Sequence, residues 1–191
     1  MAGSYNAVAD SDGVMHYIYA QLEPMSCALA CMFMMENEIE QMTHAEGEER
    51  IKAISGDHPG SLLASQLAGD NEGIGTGTTI SNVDKTFVDL GVRLTTYDAF
   101  DPTSATYRFR WQKPRISDGH PALILIGWYT YNRGTRTRNG GHYIVAARIT
   151  RRNAVVVLDS LHGTLHELQG SRGIYMNHGL FGMMEYVLYS G

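Results

Sequence analysis

Cysteine is nearly absent from this chain: of 191 residues only Cys27 and Cys31 carry a thiol. Two cysteines four apart cannot form the framework of bridges that staples a small secreted domain. A bond between them inside one helix would also be badly placed, so both are read as free thiols. Long hydrophobic runs are missing too. The longest, 27–35 and 122–126, are far too short to cross a bilayer. The opening MAGSYNAVADSDG has no basic start followed by an apolar stretch, so no Sec-type signal peptide is read and synthesis in a cytoplasm is expected. Charged residues are sparse at 18% against 43% apolar, a balance that excludes a disordered or fibrous chain.

What is there fits one compact unit over residues 1–191, long enough to bury a real core. The net charge of −5 hides a division: residues 1–100 hold four Lys/Arg against fifteen Asp/Glu, and residues 101–191 hold eleven against five. No nucleic-acid-binding motif accompanies the basic half, whose charges are scattered through YRFRWQKPR and NRGTRTRNGG. Two parts with complementary faces are expected, with neither nucleic acid nor membrane as partner.

The first half reads as helical, with candidates at 27–39, 43–55, 62–68 and 81–90, the last stopped by Gly91. Its glycine-rich GDNEGIGTGTT lacks a preceding strand and the lysine of a phosphate loop, so it is read as a connector. The second half reads as strands at 92–97, 122–128, 142–149, 154–158, 164–168 and 185–189. Loops are expected at 98–118 and 129–141, the former as the crossover. Helices followed by strands predict an α+β architecture, a helical lobe over about 15–91 packed on an antiparallel sheet lobe over about 92–190.

The chemistry centres on QLEPMSCALACMFMM, residues 21–35. An unassisted thiol is mostly protonated at neutral pH, and a helix start favours the thiolate through unpaired N–H groups and aligned peptide dipoles. Pro24 discourages helix upstream, Ser26 can cap, and the nine apolar residues from Cys27 would bury the helix and fix the thiol at its positive end. A nucleophile also needs a base with an orienting partner. His142 opens a β-branched strand in NGGHYIVAA, and Asp159 ends the next one in AVVVLDS. A tight turn at TRRN would bring them together at one sheet edge. Gln21 can offer its side-chain N–H2, and Cys27 its own amide, to a developing oxyanion.

Gln-x5-Cys at a helix start, Gly-His opening a strand, and Asp ending the next strand together resemble the papain-like cysteine peptidase superfamily. Chain order and brevity are most similar to bacterial double-glycine leader peptidase domains and to papain-like secreted effector proteases. The resemblance implies a papain-like fold and hydrolysis of a peptide or isopeptide bond. Cys27 would be nucleophile, His142 base, Asp159 its orienter, and Gln21 part of the oxyanion hole. It implies no cofactor and no metal, a protein or peptide substrate, and an immunity or chaperone protein as a further partner. It also implies a bacterial effector or toxin, delivered by a specialised secretion system. Two alternatives share the sequence features: a Cys-dependent deamidase or acyltransferase on the same site, and an inactive module that captures a peptide.

Other residues have plainer readings. Cys31 sits one turn after Cys27 and suits core packing, as do the ten methionines. His162-x3-His166 lacks the acidic helical signature of a zinc protease and falls where strand is expected. Trp128 is read as aromatic packing at a strand end, with a cleft wall as the functional alternative.

Overall fold

A computed structural model describes residues 5–21, 27–53, 83, 87, 92–170, 173–177 and 179–191. The architecture is α+β, two N-terminal helices on a mainly antiparallel sheet. The first helix, α1 (Cys27–Glu40), is buried on every side from Ala28 to Asn37, which explains an apolar run with no helical period. The second, α2 (His44–Ala53), starts on a reciprocal cap. The Thr43 N–H and hydroxyl donate to the Glu46 carboxylate at 2.8 and 2.7 Å, and the Glu46 N–H returns to the Thr43 hydroxyl at 3.4 Å. Of the expected helix at 81–90, the described Val83 and Phe87 are helical and fully buried, four apart as one apolar face requires; the helix expected at 62–68 lies outside the described residues.

The chain does not begin with helices. A hairpin comes first, β1 (Tyr5–Ala9) paired antiparallel with β2 (Met15–Tyr19). Its turn is built by Asp10, whose carboxylate accepts the N–H groups of Asp12 and Val14 at 2.9 Å, and by Gly13 at φ +83°. This corrects the purely helical first lobe. The turn is fastened to the second half of the chain. Arg148 pairs with Asp10 and Asp12, and the Ser11 N–H and hydroxyl donate to Glu167 at 2.6 and 2.8 Å. Of these, only the Arg148 contacts join a base of the second half to acids of the first; at Ser11 the acid, Glu167, comes from the second half.

The remaining strands are β3 (Leu94–Ala99), β4 (Ala122–Asn132), β5 (Thr135–Ile149), β6 (Val155–Asp159), β7 (Thr164–Leu168), β8 (Ile174–Asn177) and β9 (Leu180–Ser190). Their order is β3-β9-β4-β5-β6-β7, with β8 also pairing β9 to make seven strands. The loop expected at 129–141 is instead the tip of a long β4–β5 hairpin. Arg133 and Gly134 turn it at φ +48° and +88°, the left-handed pair that matches strand twist.

The sheet is strongly curled. In strand order β8 lies four places from β6, which in a flat sheet would separate them by roughly 19 Å. Yet the Tyr175 hydroxyl on β8 reaches Asp159 on β6 at 2.5 Å, and the Tyr175 ring meets His166 of β7 edge-on. The concave side buries Ala122, Ile124, Ile126, Ile144, Val155, Val157 and Met184; Phe109 and Ile116 of the 98–118 crossover cover it. On the convex side Leu123, Tyr143, Val145, Val156 and Leu158 pack against α1.

Candidate active site

Cys27 is the first residue of α1, so its own N–H belongs to the helix-end groups that lack an intrahelical acceptor. The expected cap Ser26 and break Pro24 lie outside the described residues. The Cys27 side chain is half-buried, whereas Cys31, one turn further on, has no exposed surface. The two thiols therefore differ in access before any chemistry is considered.

His142 and Asp159 come together through the β5–β6 hairpin. Its turn closes with the Thr150 N–H donating to the Ala154 carbonyl at 2.8 Å and Asn153 at φ +62°. The register then pairs Val145 with Leu158, which sets the end of β6 beside the His142 segment of β5. His142 Nε2 lies 2.7 Å from Asp159 Oδ1, with side-chain exposures of 5% and 0%. That leaves the other ring nitrogen, Nδ1, outside the Asp159 contact, and Cys27 is a close enough neighbour of the imidazole to help raise its pKa. Trp128 lies on the same concave side, stacked on His142 with ring centroids 6.2 Å apart and planes 16° from parallel. It was expected at a strand end, but β4 runs on to Asn132, so Trp128 lies within the strand, where its ring covers the imidazole.

Asp159 accepts four hydrogen bonds. Oδ1 takes His142 Nε2 and the Leu161 N–H at 2.8 Å; Oδ2 takes the Tyr175 hydroxyl and the Asn177 side-chain amide. Burial alone would raise its pKa, but His142, Tyr175 and the Leu161 amide hold it below the usual carboxylate range. For His142 burial pushes the pKa down, and Asp159 and Cys27 together outweigh it, pushing the value up to about 9. Burial, with the neighbouring Cys27 and Asp159, drives the Cys31 thiol well above its ordinary range.

Gln21 is tied to the residue after Asp159. Its backbone N–H donates to the Ser160 carbonyl at 2.8 Å, and the Ser160 hydroxyl donates to its side-chain Oε1 at 2.9 Å. The amide's N–H2 end is thereby the one turned away from Ser160. Ser160 is fully buried and neighbours the Cys31 thiol, whose pKa it lowers against the larger effect of burial. All four residues singled out in the sequence, Gln21, Cys27, His142 and Asp159, thus belong to one connected cluster. Cys31, read as filler, touches the same cluster through Ser160.

Three of its members were not anticipated. Ser160 could have been found from its place beside Asp159. Tyr175 and Asn177 carry a weaker signal, alternation in IYMN between glycines at 173 and 179, which suggests a short strand but not what it faces. Among the described residues no helix is long and apolar enough to cross a membrane. No protein family matches the sequence, and a comparison with curated proteins finds no significant match.

Proposed function

We propose that the protein is a papain-like cysteine peptidase that hydrolyses a peptide or isopeptide bond through an acyl-enzyme. One observation carries this reading. A half-buried thiol at a helix start neighbours a histidine that a fully buried carboxylate holds through Nε2. Asp159 and Cys27 both favour the imidazolium form of His142, and a helix start is a position that favours a thiolate, so the proposed reaction begins from a thiolate–imidazolium pair.

In the proposed reaction Cys27 Sγ attacks the carbonyl carbon, and the carbonyl oxygen becomes the oxyanion facing the Cys27 N–H and the Gln21 N–H2. His142 delivers its proton to the leaving amine as the C–N bond breaks. A water then gives a proton to His142 while its oxygen attacks the thioester. Collapse of that second intermediate releases the acid, and the regenerated thiolate again faces the imidazolium. Loss of one preorganised oxyanion donor typically costs about 10²–10³ in rate.

The test has two arms. Iodoacetamide near pH 6 should alkylate Cys27 far faster than Cys31, read by peptide mass spectrometry. Cys27→Ala used as a trap in cell lysate should retain a protein that the wild type cleaves. Equal, slow labelling of both thiols would overturn the proposal. A retained partner that wild type alters by about one dalton per site, or by a larger adduct, would move the reading to deamidation or acyl transfer.

A further inference from the structure

Asp159 offers about four acceptor positions, and four donors fill them. His142 and Leu161 share Oδ1. Tyr175 and Asn177 share Oδ2, and both come from β8, a strand the curl of the sheet brings across its concave side. Asp159, Tyr175 and Asn177 are 0%, 0% and 3% exposed, so no bulk water can substitute for a lost donor.

We infer that Tyr175 and Asn177 are positioning residues of this site, clamping Oδ2 so that Oδ1 faces His142 and the carboxyl group stays ionised at full burial. The inference rests on the proposed function for its catalytic meaning, but the clamp itself does not. With all four groups donating, an added proton finds an acceptor only if the Tyr175 hydroxyl turns or His142 changes tautomer, and either change gives up a bond to the carboxylate. The shell therefore disfavours the carboxylic acid, and equally an amide at this position, whose N–H2 would be directed at other donors. The titratable groups around Asp159 are His142 from β5, Tyr175 from β8 and, from α1, Cys31, which stays protonated; His166 of β7 abuts the Tyr175 ring.

The experiment reads the carboxyl group and the thiol separately. In protein labelled with 13C-aspartate, the Asp159 resonance is identified by its disappearance in Asp159→Asn. Tyr175→Phe and Asn177→Ala should each raise its titration midpoint by about one pH unit. The acid limb of Cys27 alkylation by iodoacetamide should rise by a similar amount, while the rate above pH 8 stays within about twofold. Asp159→Asn should lose the fast reaction at pH 6. Adding Asn177→Asp, which supplies an acceptor for the new amide, should recover at least about a tenth of it.

Midpoints and acid limbs that overlay wild type in both folded variants would overturn the clamp. So would a rate lowered equally at every pH, which marks a packing role. If wild-type Cys27 is not unusually reactive, the proposed function falls, while the Asp159 titration still decides the clamp.

Discussion

Gln21, Cys27 and Asp159 were legible in the sequence because each stands by an end of an element: before a helix, at its start, and at the end of a strand; His142, expected to open a strand, lies in the middle of β5 and was legible only as the start of its apolar segment. Ends are marked by local composition, so a reader of the sequence can find them. Ser160 is different, because its role depends on a partner 139 positions away. Its hydroxyl has one proton, donated to Gln21 Oε1, and this turns the amide's N–H2 away from Ser160, the orientation the proposed oxyanion hole requires. Ser160→Ala should therefore slow acylation of Cys27 by p-nitrophenyl acetate, which develops an oxyanion, by about tenfold or more. It should leave alkylation by iodoacetamide, which develops none, within about twofold. Gln21→Ala should show the same split, and the double variant should lose little beyond either single one, as expected for residues acting as a unit. Additive losses would show that Ser160 and Gln21 act independently.

Among the elements, β4 and β5 were each recognised by their apolar segments but not at full length, because 129–141 is rich in glycine, arginine and polar residues that read as loop. The pairing explains the glycines. Gly127 and Gly141 face each other across the hairpin, and the Arg138–Glu185 pair lies over them. Glu185 is buried and pinned by Arg138 at 2.7 and 2.9 Å and by the Tyr129 hydroxyl at 2.5 Å. A Cβ at Gly127 would overlap its carboxylate, and one at Gly141 would stand 2.5 Å from the guanidinium. Gly140 differs, since a Cβ there would meet only the Trp128 ring at 3.7 Å, an ordinary contact. Gly127→Ala should thus lower unfolding free energy by about 2 kcal/mol, the range of overpacking at a site that cannot yield. Gly140→Ala should change it by less than about 0.5 kcal/mol. Chemical denaturation of the two variants checks this, and equal effects would mean that Glu185 moves aside freely.

At the scale of the whole molecule, α+β order was legible but the curl was not. The strand order was equally hidden, since β9 inserts between β3 and β4 and carries β8 with it, a long-range pairing that no local pattern reveals. That closure buries a carboxylate and an imidazole together, and so links folding to pH. His142 is raised above its ordinary value to about 9, so its contribution is fully present below about pH 6.5 and is lost as pH rises through about 9. Asp159 is lowered, so its contribution is present above the ordinary carboxylate range and is lost as pH falls through its depressed value. Stability should accordingly peak between these limbs and decline as pH rises through about 9, by less than the His142 shift alone would give, because a Cys27 that gives up its proton on folding, as the proposed ion pair requires, cancels part of the histidine's uptake. His16 is raised as well by Glu38 and Asp10, so part of the decline belongs to the β1–β2 hairpin. Urea unfolding across this range in wild type and His142→Gln separates the two. The variant should be less stable at pH 6.5 and show a shallower alkaline decline, because the histidine that loses its proton is gone. A decline equally steep in the variant would place the linkage outside the His142–Asp159 pair, and with it the idea that folding itself holds the imidazole charged.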